Sequence, residues 1–382
     1  MSYMPRSALV RSTLDAASIA TASSLGAPRA HTVHKTSTSR SRSRGRRGAM
    51  LIYDDRTSEW FYADGSRDAH LVAQPTEFRE FHSNAVVFDR YVYLSRHNAS
   101  PTTNLVVHDF KSDAWSTTAP LKLPRRRHAV AIVPPGRIYV FGGLPDGKQR
   151  PTKAIEWLDV HDTADDAKWH SASDSDAVAR LQPSVAVIEQ TVYLIGGLDA
   201  HDKPSRSTFA YDAPTDKWRR LASCHLALTH PAAAALGSDA IYLTGGKLAD
   251  TDRKMTSSRR HSKSHNTNNR HSHHQSHSSL RSASGKTDDA TTSTLAATAN
   301  CERLDLAANE WRRVASLQTA RHSHRLVAAH NGRLYAVGGR DSHDRRLCSV
   351  EEYDTARDEW RTLPRQMLTG HADDFAVVAV DH

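Results

Sequence analysis

The sequence predicts an all-β fold, a six-bladed β-propeller in which a unit of about fifty residues is repeated. Three observations predict it. An Asp is followed at a nearly fixed distance by a Trp, a Gly-Gly pair closes a short apolar run, and the two ends of the chain each match part of one repeat. A single blade cannot bury both of its faces, so units of this kind have to stack around an axis.

The Asp/Trp spacing marks the outer half of each repeat. Five pairs are six residues apart, and a sixth, Asp159/Trp169, is longer by four residues. We expect the Asp to open a tight turn by accepting hydrogen bonds from nearby backbone, and the Trp to lie on the outer strand of a four-stranded blade and cover the seam between blades. This column holds six of the seven tryptophans: Trp60, Trp115, Trp169, Trp218, Trp311 and Trp360.

The Gly-Gly pairs mark the inner half. Each follows a short run rich in Val, Ile, Leu and Tyr, which is a strand signal, and glycine allows backbone conformations that other residues resist. The second glycines of successive pairs are 54, 49 and 93 residues apart, so an insertion interrupts the last interval. The four pairs are Gly142-Gly143, Gly196-Gly197, Gly245-Gly246 and Gly338-Gly339.

The chain ends suggest how the ring closes. Residues 50–62 match only the second half of a repeat, and residues 371–380 match only its first strand. We expect them to form one composite blade that closes the ring and leaves no open sheet edge. Its Gly-Gly strand should stand just before residue 50, where a Ser/Arg-rich segment is found instead. Either this blade has three strands or the sequence is truncated or misassembled there.

Two polar segments flank and interrupt the repeats. Residues 1–48 and 247–298 are rich in Ser, Thr, Arg and His, and we expect both to be disordered, with the propeller occupying residues 49–382. The His-rich insertion is interpreted as a solvated loop, with metal binding as the alternative. No spacing in it fixes a coordination geometry.

The net charge of +9 resides in those segments. Residues 1–48 hold nine Lys/Arg and one Asp, and residues 250–291 hold eight Lys/Arg and four Asp, which leaves −3 on the rest. A high pI is a nucleic-acid signal only when the folded part carries it. We therefore do not expect the propeller to bind nucleic acid, although salt-sensitive RNA binding by the Ser/Arg tail is an alternative.

Other function classes are disfavoured by what the sequence lacks. No apolar run reaches the roughly 20 residues of a membrane helix, and the three scattered cysteines favour a reducing compartment, the cytoplasm or the nucleus. The sequence has no Gly-rich phosphate loop after a strand, no HExxH and no GxSxG. We therefore assign no catalytic residue, metal ligand or cofactor.

A Gly-Gly pair, then a Glu-x-Tyr-Asp-like stretch, then a Trp resembles the kelch repeat. Val350–Asp354, Cys301–Asp305 and Ile155–Asp159 are most similar to the kelch-like adaptor family, and the resemblance covers residues 50–382 apart from the insertion. It implies a non-enzymatic module that recognises a protein partner or substrate, as in ubiquitin-ligase adaptors. Those adaptors recruit a cullin ligase through a further N-terminal domain, which residues 1–48 are too short and polar to supply.

The resemblance also implies a binding face. In the family, partners dock on inter-blade loops, often through arginines just before the first strand of a blade. Converging guanidinium groups would suit an acidic peptide; the alternative is that these are solvated turn residues. The matching residues here are Arg127, His128, His230, Arg321, His322 and His371.

Two further functions occur on kelch propellers. One is a scaffold associated with actin and the cytoskeleton. The other is an enzyme, a copper oxidase or a sugar-acid isomerase; the oxidase would need a clustered Tyr/His/Cys ligand set that no spacing in this sequence selects.

Overall fold

The structure is a computed structural model. It describes residues 49–54, 59–63, 70–73, 82–88, 91–96, 101–109, 114–162, 167–248, 296–329, 332–363 and 377–380. The predicted tail at 1–48, most of the insertion and His371 lie outside these residues. Within them the chain forms strands, with a short 3-10 helix at Asp176–Val178, and no helix is long and apolar enough to cross a bilayer.

Strands are numbered in chain order within the described ranges. They are β1 Ala49–Asp54, β2 Glu59–Ala63, β3 His70–Ala73, β4 His82–Phe88, β5 Tyr91–Arg96, β6 Val106–Asp109, β7 Ala114–Thr117, β8 Arg125–Arg126, β9 Ala129–Val133, β10 Arg137–Phe141, β11 Leu144–Pro145, β12 Ile155–Asp159, β13 His170–Ser171, β14 Ser184–Ile188, β15 Thr191–Ile195, β16 Thr208–Asp212, β17 Lys217–Leu221, β18 Leu228–Thr229, β19 Ala232–Leu236, β20 Ala240–Thr244, β21 Lys247–Leu248, β22 Cys301–Asp305, β23 Glu310–Val314, β24 Arg325–Ala328, β25 Leu334–Val337, β26 Val350–Asp354, β27 Glu359–Thr362 and β28 Val377–Val380.

Five four-stranded antiparallel sheets each use the strands of one repeat, and we call them blades 1 to 5. They have the orders β4-β5-β6-β7, β9-β10-β12-β13, β14-β15-β16-β17, β19-β20-β22-β23 and β24-β25-β26-β27. The first strand of each blade lies against the first strand of the next, from β4 to β9, β14, β19 and β24. The predicted all-β propeller is therefore confirmed.

The predicted count of six blades is wrong, because the structure has five blades built on the repeat. The terminal sheet, β28-β1-β2-β3, joins strands of both ends but has a different plan. Tyr53 pairs with Trp60, as Tyr211 pairs with Trp218 in the outer hairpin of blade 3. This hairpin pairs directly with β28 and takes the second and third places, and β3 takes the outer place.

Tryptophans seal the seams between blades, as predicted. The indole Nε1 of Trp169 donates to the Ala119 carbonyl at 2.7 Å, and Trp311 and Trp360 donate to Ala222 and Ala315 at 3.0 Å. Each acceptor belongs to the connection that leaves the preceding blade. Trp169 lies just before β13 rather than on it, and Trp218 is only half-buried.

In blades 3, 4 and 5 the Asp of the Asp/Trp pair opens a turn, also as predicted. The carboxylates of Asp212, Asp305 and Asp354 accept backbone N–H groups two or three residues ahead at 2.9–3.0 Å. A second turn position was not predicted. Asp216, Asn309 and Asp358 have φ of 51–53°, and their side chains accept the backbone N–H of Ser173, Ala222 and Ala315 in the preceding blade.

Positive φ angles explain the glycine pairs. All eight glycines have φ between 58° and 100°, a region that costs other L-residues about 1–2 kcal/mol. The second glycine of a pair is also crowded, because the segment that precedes the first strand packs on it. A Cβ would lie 2.7 Å from the His128 Cβ at Gly143 and 2.7 Å from the His324 Cβ at Gly339.

We expect Gly339→Ala to lower the free energy of unfolding by about 3 kcal/mol, from the positive φ plus the clash. Gly332→Ala is the matched control, because Gly332 has φ of 74° and a Cβ added there would meet nothing within 4 Å. It should lose only about 1–2 kcal/mol. Urea titrations followed by tryptophan fluorescence would measure both. Equal losses in the two variants would contradict the role given to crowding.

Candidate functional site

The segments that lead into the first strands of blades 2 to 5 form one end of the ring. We call residues 125–128, 180–183, 228–231 and 321–324 the axial loops. Each contains one residue of positive φ, two positions before the first strand: Arg127, Gln182, His230 and Ser323, with φ of 50–56°. Neighbouring loops are joined by backbone hydrogen bonds, from Gln182 N–H to Arg127 O at 2.8 Å and from Ser323 N–H to His230 O at 3.0 Å.

Arg127 and His230 are the predicted residues that a partner could reach. Both are half-buried. The Arg127 Nη2 donates to Gln182 Oε1 at 3.0 Å, and burial lowers the pKa of Arg127 while nearby Asp202 opposes that shift. The His230 ring lies edge-on to His322 with centroids 6.4 Å apart, and burial lowers the pKa of His230 to about 4. At neutral pH this site therefore presents one cation and one neutral imidazole.

The structure contradicts the assignment of Arg321 to partner binding. Arg321 is fully buried. Its Nη2 lies 2.5 Å from Glu351 Oε1, and its Nη1 donates to the carbonyls of Gly338 and Ser349 at 2.8 and 3.2 Å. Since Arg321 precedes the positive-φ Ser323 by two residues, it is equivalent to Arg125 and not to Arg127. The register inferred from the sequence was therefore wrong by two positions.

Two predicted histidines are also inside the protein. His128 is 1% exposed, and burial lowers its pKa to about 3. His322 is 3% exposed, and its Nε2 lies 2.9 Å from Asp344 Oδ1. Both therefore pack the axial loops rather than face a partner. The role proposed for His371 stays a prediction, because that residue lies outside the described ranges.

A buried Arg–Glu pair in blades 2 and 5 was missed from the sequence. Arg125 pairs with Glu156 as Arg321 pairs with Glu351. Each carboxylate also accepts two backbone N–H groups from the connection before its arginine, at 2.7 and 3.1 Å for Glu156 and at 2.6 and 3.0 Å for Glu351. The pair thus ties the connection between blades to the third strand. The signal was present, as an Arg 30 or 31 residues before the Glu.

Blades 3 and 4 each have half of this pair. In blade 3, Arg180 lies 5.0 Å from the ring centre of Phe209, which replaces the Glu, and burial lowers its pKa to about 10. In blade 4, Leu228 replaces the Arg, and buried Glu302 accepts the backbone N–H and the Nδ1 of His225, both at 2.9 Å. The repeat therefore tolerates loss of either partner where a substitute contact exists.

Exposed loops between second and third strands border the same end of the ring. In blade 3 Asp199 Oδ1 accepts the N–H groups of His201 and Lys203 at 2.8 and 3.0 Å. Asp341 in blade 5 does the same for His343 and Arg345, at 2.8 and 2.9 Å. Both loops hold their basic residues in solvent. In the described part of the chain, no group of three or more His, Cys, Asp or Glu is arranged to hold a metal ion.

Comparisons with known proteins agree with this architecture. The Kelch motif matches residues 179–225 and 321–367, which are blades 3 and 5 from their buried arginines onward. The fold is similar to the solved structure titled "Structure of YjhT", with a TM-score of 0.59 and 13% identity over 80% of this chain and 91% of that one. At that identity the likeness concerns the fold alone.

Curated relatives share the repeat over part of their length. Alpha-scruin of Limulus polyphemus is 28% identical over 197 residues, 50% of this chain and 17% of the relative. Kelch-like protein 25 of Xenopus tropicalis is 22% identical over 296 residues, which are 76% of this chain and 41% of the relative. Kelch-like protein terF of Aspergillus terreus is 34% identical over 146 residues, which are 35% of this chain and 30% of the relative. The chain thus matches less than half of the length of each of these relatives, and it is a kelch-repeat β-propeller that resembles the kelch-like proteins.

Proposed function

We propose that this propeller is a non-enzymatic module that recognises a protein partner at the axial loops and the neighbouring loops between second and third strands. One observation carries the proposal. At this end of the ring Arg127 is partly accessible and basic loop residues are exposed, on a scaffold whose buried charges already have internal contacts. The similarity to kelch-like proteins and scruins supports an interaction role over catalysis.

The chemistry of this face favours an acidic segment. Arg127 offers a planar guanidinium that can bind a carboxylate through two hydrogen bonds. Lys203 and Arg345 extend from exposed loops on the same side. Asp202 and Asp344 lie among them, so a partner with a regular pattern of acids would have to fit between these carboxylates.

Affinity capture from a cell extract tests the proposed face. We expect the variant Arg127→Ala/Lys203→Ala to lose most of the partner recovered by the unaltered chain. The control is Arg357→Ala, which removes an exposed cation from a turn at the opposite end of blade 5. Unchanged recovery with the double variant, or an equal loss with Arg357→Ala, would refute the proposed face.

Ligase adaptor and cytoskeletal scaffold are both compatible with partner binding. The adaptor role is supported by the kelch-like relatives and requires a domain that recruits the ligase. The scaffold role is supported by the scruins. Co-sedimentation of the full chain with filamentous actin, beside co-precipitation with a cullin, distinguishes them. Pelleting with actin alone would favour the scaffold.

We also propose that the terminal sheet closes the ring. Its first strand, β28, lies against β24 on one side and β4 on the other, which supports closure between blades 5 and 1. A closed ring removes the open side of a row of blades. Removal of residues 371–382 should then destabilise the whole propeller rather than one end, in a single urea transition.

A further inference from the structure

The outer strands of blades 3, 4 and 5 carry exposed arginines at repeated positions. Each has an Arg directly after its Trp, and blades 3 and 4 have a second one after that. All of these arginines are exposed, whereas Trp311 and Trp360, which precede the arginines of blades 4 and 5, are buried. We call these residues the outer arginines: Arg219, Arg220, Arg312, Arg313 and Arg361.

The outer arginines differ in how their charge is neutralised. Arg312 lies 2.8 Å from Glu310, and Arg361 lies 2.7 Å from Glu352. Among the residues that the structure describes, Arg219, Arg220 and Arg313 form no ion pair. Two of these three arginines are neighbours on β17, and the third is the fourth residue of β23.

Three carboxylates near β17 and β23 are already engaged. Asp216 accepts the backbone N–H of Ser173 and the hydroxyl of Tyr211, and Asp212 accepts both the N–H and the hydroxyl of Thr215. Glu302, which pairs with Arg313 in the strand register, is buried and bound by His225. Rearrangement within these blades would thus have to break existing hydrogen bonds to neutralise the outer arginines.

Both strands have an open backbone edge. β17 and β23 are the last strands of their sheets, so one side of each offers backbone donors and acceptors to an added strand. The end of β17 is joined to the turn before β23, because the Ala222 N–H donates to Asn309 Oδ1 at 2.9 Å. Positive side chains at such an edge oppose pairing with basic or apolar strands, but not with an acidic one.

We propose that the edge of β17, with Arg219 and Arg220, is a second docking surface that binds an extended acidic peptide by strand addition. The peptide backbone pairs with β17, and its carboxylates lie on the guanidinium groups. This surface is on the outer wall, away from the axial loops. An RNA strand is the less favoured occupant, because base stacking needs exposed aromatic rings and the tryptophans of these strands are buried or half-buried.

Fluorescence anisotropy of the full chain with a labelled peptide in which Glu-Glu and Val-Val pairs alternate tests the proposal. Both faces of the bound strand then carry carboxylates, as Arg219 and Arg220 require on opposite faces of β17. We expect Arg219→Glu/Arg220→Glu to weaken binding by about tenfold or more. Arg357→Glu, a charge reversal in an exposed turn, should change it by less than about twofold. Arg127→Ala is the comparison that separates this site from the axial loops, because strand addition at β17 does not involve Arg127. Methylation of alternate peptide amides should abolish binding, since strand addition needs those N–H groups.

Other outcomes would overturn the proposal. An equal loss with Arg357→Glu would mean that only net charge matters. A loss with Arg127→Ala alone would place the peptide at the axial loops, and no loss with any variant would exclude the outer wall. Binding that survives amide methylation would exclude strand addition, and tighter binding of an oligouridylate that displaces the peptide would make the surface a nucleic-acid site.

Discussion

Arg321→Met is expected to lower the free energy of unfolding by about 3–5 kcal/mol, because it leaves Glu351 buried without its cation. Methionine keeps much of the aliphatic stem, so the loss comes from charge and hydrogen bonds rather than from a cavity. The carbonyls of Gly338 and Ser349 lose a donor in the same step. Urea unfolding at pH 7.5, followed by tryptophan fluorescence, would measure the change.

Two further variants identify the cause. Arg345→Met removes an exposed arginine that lies 2.7 Å from Asp341, and should change stability by less than about 1 kcal/mol. Arg321→Met/Glu351→Gln should recover part of the loss, because no buried charge is then left unpaired. A loss below about 1 kcal/mol in Arg321→Met, or no recovery in the double variant, would contradict the importance given to the pair.

Acid is expected to unfold the propeller between pH 6.5 and about 4. Burial lowers the pKa of His108, His230 and His322 to about 4 and that of His128 to about 3, and it holds the pKa of His324 well below its usual range. The folded state keeps these imidazoles neutral, whereas the unfolded chain protonates them below pH 6.5. Each of these histidines therefore lowers the free energy of unfolding by about 1.4 kcal/mol for every unit that the pH falls in this window.

The sum of these losses is large beside a typical stability of about 5–15 kcal/mol. Urea midpoints would be measured at pH values on both sides of the usual histidine pKa, about 7.5, 6.5, 5.5 and 4.5. They should fall steeply below about pH 6.5 and stay nearly constant above it. His324→Gln should reduce the slope of the profile by about a fifth, because it removes one of the five histidines. Gln can still bond to Thr244, whose Oγ1 lies 2.8 Å from His324 Nε2. The control His343→Gln alters a side chain that is 76% exposed and should leave the profile unchanged. A flat profile in the unaltered chain would contradict the prediction.

The burial of Arg321 changes how the binding face should be probed. A substitution there would reduce partner binding through unfolding, and the loss would be mistaken for a lost contact. Arg127 is the suitable position, because it is half-buried and its side chain bonds only to Gln182 Oε1 among the described residues. The stability of each variant therefore has to be measured beside its binding.

The sequence by itself determined the repeat and most of its local geometry. The Gly-Gly pairs, the Asp turns and the Trp seams lie where their spacing predicts, because each depends on short-range requirements. A positive φ selects Gly, a tight turn selects Asp, and a strand at a seam accommodates a large ring. Such requirements are met by a residue and its near neighbours, so they can be recognised in one repeat and checked against the others.

Only the tertiary structure decided which arginines face solvent and how the ends pair. Arg125, Arg127 and Arg321 stand in similar sequence contexts, but Arg125 and Arg321 point to a carboxylate 30 or 31 residues away on the third strand. The terminal hairpin lies one place further inward than predicted, because β1 pairs directly with β28. Burial of a charge and the choice of a strand neighbour depend on partners distant in sequence, which local spacing does not encode.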